Sequence, residues 1–191
     1  LPVAALLRLH AEGGAPVFGT RFLVFAQNSF LLAGGAAVIV VTAATLIAYA
    51  ARLAPGPATT LTIRIATIGY AVPGTVIAVG VLTSLGALDN AVDGWARAQF
   101  GRGPGLILSG TAIALLYAYL VRFLAVAAGP VESGLHRIPP SLDAAARTLG
   151  ASAGKVARAI HAPMLRRALL TAGLMVFVDV LKELPATIIV R

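Results

Sequence analysis

From Phe30 to Ala51 the chain runs for 22 residues without a charge. At about 1.5 Å of rise per residue a helix of that length reaches ~33 Å, enough to cross a hydrocarbon core of about 30 Å. The competing reading, a core helix of a soluble protein, fits poorly with so long a run and no charge in it. A second run, 65–88, is uncharged for 24 residues and carries Pro73-Gly74 near its middle. A third, 106–128, is interrupted by Arg122, and a fourth, 168–181, contains Asp179. Beyond Lys182 and Glu183 the apolar stretch from Leu184 to Val190 is too short to span.

Composition agrees. Hydrophobic residues make up 59% of the 191, charged residues 12%, and the mean hydropathy is +0.91. Soluble domains have about twice that share of charge, so a soluble enzyme is excluded, and so is a disordered chain. With no cysteine there is neither a disulfide framework nor a thiolate metal site. The net charge of +8 would suggest nucleic acid in a soluble protein. Here its placement points to membrane topology, and no nucleic-acid partner is expected. Between Arg122 and Arg167 stand seven Lys or Arg against Glu132 and Asp143. The positive-inside rule places this stretch in the cytoplasm. By alternation Arg52–Arg64, with two Arg and no acid, is also inside. Asp89–Gly105, where Asp89 and Asp93 balance Arg97 and Arg102, is then outside, as are residues 1–28. The fold class expected is an all-α polytopic membrane bundle with about four spans. The many Gly and Ala serve helix packing, and Trp95, Tyr117 and Tyr119 are interfacial or packing aromatics. No signal peptide is visible. The chain begins at Leu1 and stops at Arg191 directly after an apolar run, so it is expected to be part of a longer protein with a further helix beyond.

The segment 131–164 is too patterned for a linker. Pro139-Pro140 ends what precedes it, and Ser141 is placed to cap a helix with Asp143 in its first turn. Asp143 and Arg147, four apart, can pair across a turn. Gly150 supplies a left-handed stop, Ser152 caps a second short helix through Ile160, and Pro163 breaks it. The stretch Gly150-Ala151-Ser152-Ala153-Gly154-Lys155-Val156 imitates a phosphate loop. It has three residues between the glycines instead of four, and Val where Ser or Thr must reach Mg²⁺, so nucleotide binding is not expected.

Ala144-Ala145-Ala146, Gly150, Ile160 and Pro163 carry a resemblance. Their spacing is similar to the signature loop of binding-protein-dependent ABC transporter permeases: Glu-Ala-Ala, three residues, Gly, nine residues, Ile-x-Leu-Pro. Ala144 stands where that signature has Glu, and Ala162 where Leu is usual. Gly69-Tyr70-Ala71-Val72-Pro73-Gly74 and the stretch from Val178 to Pro185 resemble the ferric-iron import branch. The resemblance implies most of the carboxy-terminal half of such a permease, in a bacterial cytoplasmic (inner) membrane. It further implies a coupling loop of Asp143, Ala144, Ala145, Ala146, Gly150, Ile160 and Pro163 that docks on a cytoplasmic ATPase dimer. That partner would bind ATP and Mg²⁺, while this chain would hold no cofactor and hydrolyse nothing. A periplasmic substrate-binding protein, a second permease half (fused or separate) and membrane lipid complete the partners. No catalytic constellation stands out. His10, His136 and His161 are scattered outside the expected spans and read as solvated loop histidines rather than a metal site.

Inside the membrane, Asp179 carries a cost of roughly 2.5–3.5 kcal/mol on insertion scales, so it should face the bundle interior. Lys182, three residues on, can pair with it. Tyr70, Pro73, Asp179, Lys182 and Glu183 are therefore candidates for the translocation path or for a structural ion pair. A broken helix and a buried acid would also suit a secondary transporter or channel working without an ATPase, though that reading leaves the loop's spacing unexplained.

Overall fold

The computed structural model describes residues 20–183, with side chains from Phe22. The chain divides into two compact units, residues 1–31 and 32–191. Among the described residues all regular structure is helical. Helix α1 is Thr20–Leu53, so residues 20–28, expected as part of an external segment, are helix; residues 1–19 lie outside the described part. Helix α2, Pro57–Ile68, occupies much of the expected loop Arg52–Arg64. It opens with Pro in its first turn, where a missing N–H costs nothing. The Thr59 hydroxyl accepts the Gly56 N–H at 3.1 Å. A 3-10 turn, Gly69–Ala71, follows. Val72 is then extended (φ −86°, ψ 133°), as the residue before a proline tends to be.

Helix α3, Gly74–Phe100, starts after Pro73 and stops at Gly101, whose φ of 68° supplies the left-handed cap. The uncharged run 65–88 is therefore two helices with a break, and the expected external loop 89–105 is helical as far as Phe100. Asp89 and Asp93 sit on α3 and hold the irregular segment behind it. Asp89, 1% exposed, accepts the N–H groups of Leu108 and Ser109 at 3.0 and 2.8 Å. Asp93 accepts from the Gly105 N–H at 2.8 Å and from Arg97 Nε at 2.6 Å.

Helix α4, Ala112–His136, starts later than the apolar run at 106, passes through Pro130 and overruns the expected end at 128. The loop expected to begin at 131 thus begins at Arg137. Helix α5 is Pro140–Thr148, α6 is Ala153–Val156, a π-helical turn covers Ala157–His161, and α7 is Ala162–Lys182. Pro163 does not break this last stretch. A proline inside a helix clashes with the carbonyl four residues back, here that of Ala159. The wider π turn immediately before Pro163 absorbs that conflict, and the chain runs on as helix.

Among the described residues three helices are long and apolar enough to cross a membrane: Phe22–Leu53, Gly74–Phe100 and Ala112–His136. By that measure the chain is an α-helical membrane protein. Helix α7 has 21 residues but carries Arg166, Arg167, Asp179 and Lys182, and it is not among the three. Small residues let the helices approach. On α1 the buried stripe is Ala33, Ala36, Ala37, Val40, Ala44 and Ala48, at the three- and four-residue steps of one helix face. The same core takes in Ala118, Tyr119 and Phe123 of α4 and Ala172, Val176 and Val180 of α7. Tyr119 is therefore a packing residue at 1% exposure, whereas Trp95 is 61% exposed. Large apolar side chains of the three membrane-length helices, such as Val38, Leu46, Val79 and Ile113, point outward, as a lipid-facing surface requires.

Helices α4 and α7 pack along one another in an extensive contact. Gly134 permits it: a Cβ there would come 2.7 Å from the Ala168 Cβ and 2.9 Å from Leu165. Gly134→Val is expected to force α4 and α7 apart and destabilise the bundle by about 1–3 kcal/mol. Thermal unfolding of the detergent-purified protein checks this; a midpoint equal to wild type would mean the helices yield without cost.

Candidate functional site

Two buried charged centres stand out, one at the end of the bundle and one partway along it. At the end lies the helix–turn–helix formed by α5 and α6. Its first helix begins earlier than the sequence suggests, because Pro140 occupies the first turn and Pro139 the cap; Ser141 is already inside the helix. Its second helix is capped as expected, the Ser152 hydroxyl accepting the Lys155 N–H at 3.4 Å. Between them Gly150 has φ +76°, the left-handed region that glycine adopts freely.

Asp143 does not pair with Arg147. Its carboxylate takes Arg52 Nε at 3.0 Å and His161 Nε2 at 2.7 Å. Arg52, in the last turn of α1, also donates to the carbonyls of Leu135 and Ile138 at 2.7 and 2.9 Å. Those carbonyls belong to the end of α4 and the residues just after it, where helical partners run out. One guanidinium thus ties α1, α4 and α5 together. His161 is not a solvated loop residue: it is 2% exposed, and Tyr49 on α1 packs edge-on against its ring at 5.5 Å. The Tyr49 hydroxyl donates to the Ala153 carbonyl at 3.4 Å. His136 is exposed, and His10 lies outside the described residues. Burial works to raise the Asp143 pKa, but the hydrogen bonds from Arg52 and His161 and the charge of Arg52 outweigh it, so the carboxyl is held below its ordinary 3.8.

The outer face of this element is apolar and open. Ala144 and Ala145 are exposed, Ala146 is buried, and Leu149 beside the glycine turn is 87% exposed. A groove of about 330 Å³ runs between the two short helices, lined by Leu142, Ala145, Leu149, Val156 and Ile160 together with Lys155. Pro163, beyond the π turn, is exposed.

The second centre is where the break between α2 and α3 meets α4. Arg122 lies within α4, whereas the sequence suggests that it opens the cytoplasmic stretch. Its Nε is 3.0 Å from Glu183 Oε2, and its NH1 donates to the Val72 carbonyl at 2.8 Å. Gly74 is buried against the pair, so a Cβ there would collide with Glu183. Of the path candidates the structure therefore brings together Glu183 and, through its neighbours Val72 and Gly74, Pro73. It does not join Asp179 to Lys182: Asp179 is half-buried, Lys182 is exposed, and the carboxylate that finds a cation here is Glu183. Tyr70 is 53% exposed beside the break.

Arg122 carries a readable signal, because a charge inside an otherwise apolar run of membrane length needs a partner. Arg52 has none; it looks like any basic flank of a span. Among the described residues no three His, Asp or Glu side chains converge as a metal set. Compared with models of known protein families and with curated proteins, the sequence matches none.

Asp143→Ala would leave Arg52 and His161 buried without their carboxylate. Losing one partner of such a buried pair costs on the order of 3–5 kcal/mol. Trypsin should then cut at Arg147, Lys155 and Arg158 at least about tenfold faster than in wild type, tenfold being only about 1.4 kcal/mol of opening. The pH dependence follows the depressed pKa. The pair stabilises the fold fully above the ordinary value of 3.8 and loses that contribution as pH falls through the lower folded value. The difference in unfolding temperature between wild type and Asp143→Asn should therefore be flat from about pH 7 to about pH 4 and shrink below.

Proposed function

We propose that this chain is the membrane permease component of an ATP-driven, binding-protein-dependent ABC importer, and that the element from Pro140 to His161 couples it to a cytoplasmic ATPase. The observation that carries the reading is the geometry of that element. Two short helices meet at the left-handed Gly150, present an apolar groove outward, and are bonded through Asp143 to the end of α1. A surface meant to receive a push needs both an open docking face and a rigid attachment to the bundle, and these residues supply both. Leu149, highly exposed at the turn, is suited to enter a pocket on a partner.

On this reading the basic segment from Arg137 to Arg167 is cytoplasmic. Helix α7 forms a fourth membrane segment in a bacterial inner membrane, entering from the cytoplasmic side and ending at the level of Arg122, where Glu183 meets it. A periplasmic binding protein delivers cargo, and a second permease half completes the path. By resemblance the cargo is ferric iron. ATP and Mg²⁺ are bound by the ATPase partner, and this chain transports without catalysing hydrolysis. The helix break after Ile68 and the Arg122–Glu183 pair favour a second reading, a secondary transporter or channel. Copurification decides between the two: an ATPase retained with the purified protein supports the importer, and none retained supports the alternative.

The coupling role is tested at Gly150. A Cβ in the left-handed conformation costs roughly 1 kcal/mol, too little to prevent insertion. The space around the position is open, so a Cβ there meets nothing within the chain itself. Gly150→Arg is therefore expected to leave abundance near wild type while uptake and binding-protein-stimulated ATPase activity fall sharply. Normal uptake by this variant, with the ATPase still copurifying, would remove the coupling role.

A further inference from the structure

Ten residues of α4 precede Arg122 and fourteen follow it, which sets the guanidinium near the middle of a helix long enough to span. A charge at that depth is retained only where it is paired or faces water. Arg122 is held twice, by an ion pair with the Glu183 carboxylate and by a hydrogen bond to the Val72 carbonyl, and its side chain is 19% exposed. Both contacts reach the discontinuity between α2 and α3. Val72 is the extended residue of that break, and the guanidinium takes its carbonyl. On either side the glycines press directly on the same stretch of α4. A Cβ at Gly69 would collide with the Val121 carbonyl, and one at Gly74 would collide with Glu183 and approach Arg122 NH1 to 3.1 Å. The break is thus held against α4 by an ion pair and a hydrogen bond, backed by two contacts that leave no room for a side chain. Glu183 directly follows α7, so the pair also joins the far end of that helix to the break.

We infer that Arg122 and Glu183 form an ionic latch across the Val72–Gly74 break, closing the translocation path in this conformation, and that the transport cycle parts them. This rests on the permease reading and makes Arg122 a positioning residue of the path. Within the packing of the break on α4, the ion pair and the hydrogen bond are the contacts that water or a charged group can replace, whereas apolar packing has no such substitute. Water or a charged cargo entering the break replaces those contacts with its own, so opening strands neither charge.

The chain has no cysteine, so Val72→Cys supplies a single reporter that keeps the backbone carbonyl. Its labelling by a membrane-impermeant thiol reagent is measured in membranes in three backgrounds: the native pair, Arg122→Lys, and Arg122→Gln with Glu183→Gln. The double variant removes both charges together. The expected result is slow labelling in the first two and labelling faster by about fivefold or more in the third, the low end of typical coupling between states. In the same double variant uptake should be lost and ATPase activity should no longer need the binding protein, while Arg122→Lys retains part of both properties. Equal labelling in all three backgrounds would overturn the latch, since a purely structural pair can be replaced by two amides without opening a path. If the double variant does not accumulate, the exchanged pair Arg122→Glu with Glu183→Arg replaces it: slow labelling supports the latch, and fast labelling in a normally accumulating protein overturns it. The two proposals fail separately. Fast labelling in the neutral variant without a copurifying ATPase sustains the latch and removes the importer reading; unchanged labelling with the ATPase present does the reverse.

Discussion

The guanidinium of Arg52 holds one end of the bundle together. It reaches the Asp143 carboxylate and two carbonyls, that of Leu135 at the end of α4 and that of Ile138 just after it. Without it the Ile138 carbonyl loses this donor, and Asp143 keeps only His161. Lysine could not replace it, because a compact ammonium cannot spread its donors across one plane as the guanidinium fork does. The consequence for the rest of the molecule is geometric. Helices α5 and α6 are too short to be stable alone. They are nevertheless fixed relative to the bundle, through Arg52 on one side and the contact of His161 with Tyr49 on the other.

A second constraint acts further along the bundle. A helix in lipid must have its charges satisfied internally, and two further buried charges of this fold are each matched to backbone or to an opposite charge. Asp89 takes the amides of the segment after α3 and fixes that irregular stretch. Arg122 takes a carbonyl and a carboxylate and fixes the helix break. In both places a charge does what regular hydrogen bonding cannot, supplying partners where the backbone leaves helical geometry. The small residues of α1 have a complementary task. Lipid tails are as apolar as the side chains they would replace, so Ala33, Ala36, Ala37 and Ala44 matter by letting backbones come close.

What can be read from the sequence follows the same division. The charge-free run at 30–51 announces a helix because length and composition alone decide it. Gly150 and Ser152 announce the turn and the cap because those effects are local. In the run 65–88 hydropathy does not register the break; only Pro73-Gly74 marks it. Val72 is extended for a local reason, the proline after it, but the partner that holds it there is fifty residues away. Helical spacing offers Asp143 only the nearby Arg147. The structure instead supplies Arg52 and His161, 91 and 18 residues distant. The pairing of Asp179 with Lys182 fails for the same reason: spacing along a helix shows who can meet on it, and nothing of the neighbouring helix that offers Arg122 to Glu183. Pro163 misleads in a different way, since a π turn is a register change that no residue pattern marks.

Helix α7 connects the two charged centres. It emerges from the π turn that ends at His161, bonded to Asp143, and it is followed by Glu183, bonded to Arg122. Its 21 residues make a rod of ~32 Å with no proline beyond its first turn. It also lies along α4 in an extensive contact, and α4 carries both Arg122 and the Leu135 carbonyl that Arg52 holds. A displacement of the α5–α6 element therefore has two rigid routes to the helix break, one along α7 to Glu183 and one along α4 to Arg122. The routes end on opposite members of one ion pair. A common shift of both helices leaves that pair intact, whereas a slide of one past the other pulls it apart. Separation of the pair thus follows relative motion of α4 and α7, whose backbones approach closely where Gly134 meets Ala168.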